Sequence, residues 1–182
     1  MLGAATVLAS TAPAGSSMRR AYGADAARFA THLVEHQTQL DDGRVLVDSC
    51  DWGKVPCHDC SQFKGIAYRE LTRWALVGAA NGGNPLPPAS TSLLAKVRTV
   101  LDASAEAVWA RRQEQQPESG SLSHAASPSS WSGPLFGTGW ALGSARTCPP
   151  SVASQGSAVM ALLGHATLER ADREAEARHR QT

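Results

Sequence analysis

An all-α fold is what this 182-residue chain predicts, and three observations lead to it. Apolar residues recur at three- and four-residue steps in several separate segments, the spacing of one face of a helix. Those segments are divided by Gly- and Pro-rich stretches that end helices and turn the chain. Nowhere is there a succession of alternating strand patterns. The order of elements reads as helix, loop, helix, Gly/Pro turn, helix, long loop, helix, which is hairpin architecture. The length accommodates one domain with its own core.

From Ala24 to Leu40, the residues Ala26, Phe29, Ala30, Leu33 and Leu40 gather mostly on one face, with His32, Glu35 and His36 left for water. Upstream, Met1 to Ser17 is small and mildly apolar, with Ala12-Pro13-Ala14 as a faint cleavage-like site. The basic pair Arg19-Arg20 follows the apolar stretch instead of preceding it, the wrong order for a secretory leader. The sharper reading makes Met1 to Leu8 the tail of a helix. After the first amphipathic helix, Asp41-Asp42-Gly43 supplies turn chemistry, and Val45-Leu46-Val47 is a short extended piece.

The next helix starts at Ser61 as N-cap. It carries Phe63, Ile66, Ala67, Leu71, Trp74 and Gly78 on its apolar face and places Lys64, Arg69, Glu70 and Arg73 on others. Asn81-Gly82-Gly83-Asn84-Pro85 ends it. Thr91 or Ser92 opens another helix, with Leu94, Val97, Leu101, Ala105 and Val108 widened by Leu93, Val100 and Trp109; so broad a stripe implies several packing neighbours. Gln113 to Pro150 reads as a long connection with an ordered patch around Trp131 and Trp140. A last helix from Ser151 or Ser154 carries Val159, Met160, Leu162, Leu163, Ala166 and Leu168, then becomes polar, with acid-first pairs such as Glu169–Arg173 and Glu176–Arg180.

Charge excludes some functions. A formal net charge of +1 with 18% charged residues gives no global field for nucleic acid or an anionic membrane, and no apolar run reaches the roughly 20 residues of a bilayer span. Motifs for a Ser nucleophile elbow, a P-loop, a dinucleotide site or a His-Glu metalloprotease are missing. Cys50, Cys57 and Cys60 crowd one loop around His58, with Cys148 far downstream. Zinc modules usually place a second close ligand pair, so no metal site is assigned, and a small zinc-stabilised helical module stays as a third reading. If the protein is exported, Cys50 with Cys57 or Cys60 forms a disulfide that staples the loop; reduced thiols remain the other reading. Asp41-Asp42, the only adjacent acidic pair, sits at a helix exit where Asp serves turns. Asp48, Asp51 and Asp59 lie nearer Trp52, where a sugar hydroxyl could be bound.

At Asp59-Cys60-Ser61-Gln62-Phe63-Lys64-Gly65-Ile66 the chain resembles glycoside hydrolase family 76, the endo-α-1,6-mannanases, whose members carry a similar Asp-x-x-Gln-Phe-Lys-Gly-Ile segment. A Cys-bearing loop precedes it, Ala105 to Trp109 matches a helix ending in Ala-x-x-Val-Trp, and Trp131-Ser132-Gly133-Pro134 is similar to Trp-x-Gly-Pro. Ser154-Gln155-Gly156-Ser157-Ala158 is similar to the family's closing Gln-x-Ser-Ala helix, and order and rough spacing hold from Ala24 to Ala166.

The resemblance implies an (α/α)6 toroid, the six-hairpin glycosidase architecture, acting with retention through two adjacent aspartates in an aromatic-rich helix. No such segment is found here. A helical hairpin with its loops takes roughly 40 to 60 residues, so the chain accounts for about three of six hairpins. The expectation is therefore the C-terminal part of a retaining hydrolase of α-1,6-mannan, inactive by itself, with no catalytic residue and no cofactor. Trp52, Asp59, Gln62, Lys64 and Trp131 are its substrate-binding candidates. The alternative is a non-catalytic carbohydrate-binding or structural helical remnant. The layout is 1–23 as remnant helix end or weak leader, 24–168 as the partial helical domain and 169–182 as a polar helical tail. The partner is an α-mannan-type polysaccharide or oligosaccharide, at an extracellular or cell-surface location. Self-association or a missing N-terminal half would cover the faces that absent hairpins leave bare.

Overall fold

The computed structural model describes residues 1–39, 44–48, 62–80, 90–112, 136, 140 and 152–181. Trp52, Asp59 and Trp131, all four cysteines and the Asp41-Asp42 turn lie outside the described residues. Five helices dominate what is described: α1 (Leu2–Thr11), α2 (Ser17–His36), α3 (Phe63–Ala80), α4 (Ser90–Ala110) and α5 (Val152–His179). Between α2 and α3 a short antiparallel pair joins β1 (Thr38–Gln39) to β2 (Val45–Leu46), with Thr38 opposite Leu46 and Gln39 opposite Val45. The fold is all-α, and no described helix is long and apolar enough to cross a membrane.

The helix ends follow local chemistry. Between α1 and α2 the Ser16 amide donates to Pro13 O at 3.1 Å, Gly15 adopts φ 75°, and the Ser16 hydroxyl accepts from the Arg19 amide at 3.1 Å as an N-cap. This cap starts α2 at Ser17 instead of the expected Ala24, because residues 17–23 have little apolar rhythm but a strong start signal. A boundary at 23/24 therefore falls inside a helix, and one at 168/169 falls inside α5. Arg44, at the entrance to β2, takes φ 69° in the left-handed region. β2 is anchored inward, where the Leu46 amide donates to Ser104 Oγ of α4 at 3.0 Å.

α3 is the central element, packed against all four other helices. That position corrects the expected burial of its faces. Phe63 and Ile66, assigned to the core stripe, are 57% and 37% exposed, whereas Lys64 and Glu70, assigned outward, are 3% and 8% exposed. A helix enclosed on several sides buries whatever residue faces a neighbour, so an apolar stripe read in isolation is only part of its interface. The same rotation occurs in α5. Val159 and Leu163 are exposed, while Ser154, Ser157, Ala158, Ala161 and Leu168 are buried. In α4 the stripe Val97, Leu101, Ala105 and Val108 is buried as expected, but Trp109 is half exposed with the Arg112 guanidinium 4.4 Å from its ring centroid.

From the long connection, Phe136 and Trp140 enter the core. Ser154 Oγ and Gln155 Nε2 donate to Phe136 O at 2.8 and 3.0 Å, and Arg111 donates to Trp140 O. At the α4–α5 seam, Arg98 pairs with Asp172, and the two ring nitrogens of His165 face Asp102 and Glu169 at 3.3 and 3.4 Å. Past Leu168, α5 is solvated, with Glu169–Arg173, Arg170–Glu174 and Glu176–Arg180 pairs between 3.5 and 3.9 Å. Exposed pairs of this kind each contribute about 0.5 kcal/mol or less.

Candidate functional site

The first turn of α3 contains the residues that carry the family resemblance, and each faces a different environment. Gln62 is exposed and its carbonyl accepts from the Ile66 amide at 3.1 Å. Phe63 presents most of its ring to solvent. Lys64 is buried with Nζ 5.4 Å from the Trp140 ring centroid, a cation–π contact in which the low-dielectric surroundings strengthen the attraction. Tyr68 meets Trp140 edge-on at 6.5 Å between centroids and donates its hydroxyl to Leu101 O at 3.0 Å. Burial, with the Asp102 charge adding to it, pushes the Tyr68 phenol far above its ordinary value.

Gly65 allows α3 and α5 to touch. A Cβ built there would lie 2.5 Å from Ser157 Cα, closer than real side chains come. Gly65 and Ser157, which belong to two segments quoted for the same resemblance, therefore touch across the α3–α5 pair.

Phe63, Lys64, Ile66 and Glu70 also make one wall of a cleft of about 450 Å3, whose other walls are Phe29, His32 and Leu33 of α2, Leu2 and Gly3 of α1, and Leu46 of β2 with Val47 and Asp48 after it. Its lining is mainly apolar, the usual character of a small-molecule site. Glu70 is held by two guanidinium groups. Arg69 Nε and Nη2 lie 2.8 and 2.7 Å from Oε1, and Arg73 Nη1 lies 3.1 Å from Oε2. Its Oε2 also faces the first turn of α1, 2.2 Å from where a Gly3 Cβ would stand, so the carboxylate sits at the positive end of that helix.

Of the sequence candidates, Gln62 and Lys64 are described: Gln62 directly precedes α3 and is exposed, whereas Lys64 lies in its first turn and is buried. Phe29, Glu70 and Trp140 are additional residues of this region that sequence reading did not select. Local pattern marks Phe29 as part of an apolar helix face and Trp140 as part of an ordered patch, but it does not bring three distant segments together at one site. Both oxygens of Glu70 are taken by guanidinium N–H groups, so it does not have the free geometry of a glycosidic acid or nucleophile. Two exposed rings beside a polar rim can stack on a ligand and hydrogen-bond to it. His32 and His36, both exposed on α2, stack obliquely, 4.8 Å between centroids, and no cluster of three metal-donor side chains occurs among the described residues.

Compared with known proteins, the chain matches no family model, no curated protein and no solved structure.

Proposed function

We propose that this chain is the C-terminal part of a glycoside-hydrolase-like helical domain of the α-1,6-mannanase type, and that by itself it binds an α-mannan oligosaccharide without cleaving it. The observation that supports this reading is the Gly65–Ser157 contact, which joins two segments of the resemblance in one helix pair. Beside it, Phe63 and Phe29 offer partly open rings for a sugar face, and Gln62 offers an exposed amide. Lys64 holds the Trp140 side of this turn in place. The missing element of catalysis is a pair of carboxylates flanking one bond.

The test is a titration of α-1,6-mannobiose and mannotriose into the isotope-labelled chain, with a reducing-sugar assay on α-1,6-mannan run in parallel. Saturable shifts at Gln62, Phe63 and Phe29 without release of reducing ends are expected. Hydrolysis would overturn the non-catalytic part of the reading, and no shift with either sugar would leave the structural-remnant alternative.

A further inference from the structure

A second groove, of about 400 Å3, runs between α3 and α5 away from the cleft at α1 and α2. Its walls are Leu76, Met160 and Leu163, and its charged rim is Arg69 and Arg73. Thr72, which lines it, is 6% exposed, and its hydroxyl has no hydrogen-bond partner among the described residues. Five other described threonines satisfy their hydroxyls locally. Thr6, Thr11, Thr38, Thr99 and Thr167 each donate to the carbonyl four residues back, at 2.7 to 3.1 Å. A buried hydroxyl without a partner costs about 1 to 3 kcal/mol. Gly164 permits the close approach of this oxygen to α5, since a Cβ there would lie 2.8 Å from Thr72 Oγ1.

The rim has donors to spare. Arg69 and Arg73 have side chains 53% and 47% exposed, and each guanidinium carries five N–H groups of which Glu70 uses only some. An apolar trough, two guanidinium forks and an unused hydroxyl are complementary to one kind of molecule.

We propose that this groove binds a small molecule with an apolar body and an anionic oxygen head, of the medium-chain carboxylate class. The carboxylate accepts from the Arg73 guanidinium and, after rotation about the Thr72 χ1 bond, from the Thr72 hydroxyl. The alkyl body lies along Leu76, Met160 and Leu163. The volume lies within the roughly 300 to 1,000 Å3 of small-molecule sites. This site does not depend on the oligosaccharide reading, because it lies on another face of α3.

The probe is octanoate, with octanol as the uncharged comparison, titrated into the full isotope-labelled chain and followed by amide shifts. Saturable octanoate shifts centred on Thr72, Leu163 and Gly164 are expected, with octanol about tenfold weaker because it lacks the charge-assisted bonds. Thr72→Val keeps the side-chain shape and should weaken octanoate about fivefold, and Arg73→Gln about tenfold. Leu163→Gln, at a position 63% exposed where folding is not at stake, should also weaken it. Circular dichroism verifies that each variant keeps its helices. The proposal is overturned if octanol binds as tightly as octanoate, if Thr72→Val binds unchanged, or if the shifts fall on Phe29 and Phe63 instead.

Discussion

Gly65 and Lys64 are adjacent, yet different forces fix them. Gly65 is dictated by closeness of backbones, because any side chain would meet Ser157 Cα at 2.5 Å and that atom cannot rotate aside. Gly65→Ala should cost about 2 kcal/mol, within the range for overpacked contacts, despite the better helix propensity of Ala. Urea unfolding measures it; a variant as stable as the wild type would mean that α3 and α5 separate freely. Lys64 is dictated by Trp140, which supplies a π face to an ammonium that burial would otherwise penalise. A charged residue in a sequence reads as solvent-facing. Lys64 and Glu70 break that rule because their partners, Trp140 in one case and Arg69, Arg73 and the α1 terminus in the other, become neighbours only on folding.

At the scale of elements, boundaries were more legible than faces. α3 ends at Ala80 before the expected Asn81-Gly82-Gly83 stop, and α4 starts at Ser90, next to the expected Thr91. Those signals are local backbone chemistry, so they act wherever the helix sits. α2 starts before its apolar periodicity does, because the Ser16 cap sets its first turn. Removing that cap gives a measure of its importance: Ser16→Ala leaves the Arg19 amide without its acceptor and should lower stability by about 1 kcal/mol. Denaturant unfolding of the variant checks it, and amide exchange should increase first in residues 17–20. The apolar face of α5 could not be found by the same means. Val159 and Leu163 look outward, and the first half of its contact face is built of Ser154, Ser157, Ala158 and Ala161, whose small size permits close approach to α3, with Leu168 buried farther along.

For the whole molecule, Tyr68 of α3 joins Trp140, and Leu101 of α4, in the core, all three fully buried. The Tyr68 phenol has an ordinary value of 10.0 and is raised in the folded state by burial, then by the Asp102 charge. An acid group so raised holds its proton in the folded chain while the unfolded chain loses it. Its contribution is therefore complete below about pH 10 and declines as pH rises above that value. Tyr68→Phe should lower stability by about 1 kcal/mol near neutrality, through loss of the bond to Leu101 O. The variant should also flatten the alkaline decline. Urea titrations from pH 8 to 11 compare the two chains, and parallel pH profiles would remove Tyr68 as the source. The sequence by itself determined an all-α chain, the approximate ends of α3 and α4 and the buried stripe of α4, because helix periodicity, caps and Gly/Pro stops act over a few residues. Only the tertiary structure decided that α3 is the central helix, that Lys64 belongs under Trp140, and that Thr72 and two arginines line one groove. Those outcomes depend on segments far apart in the chain meeting at atomic distance, which no local pattern encodes.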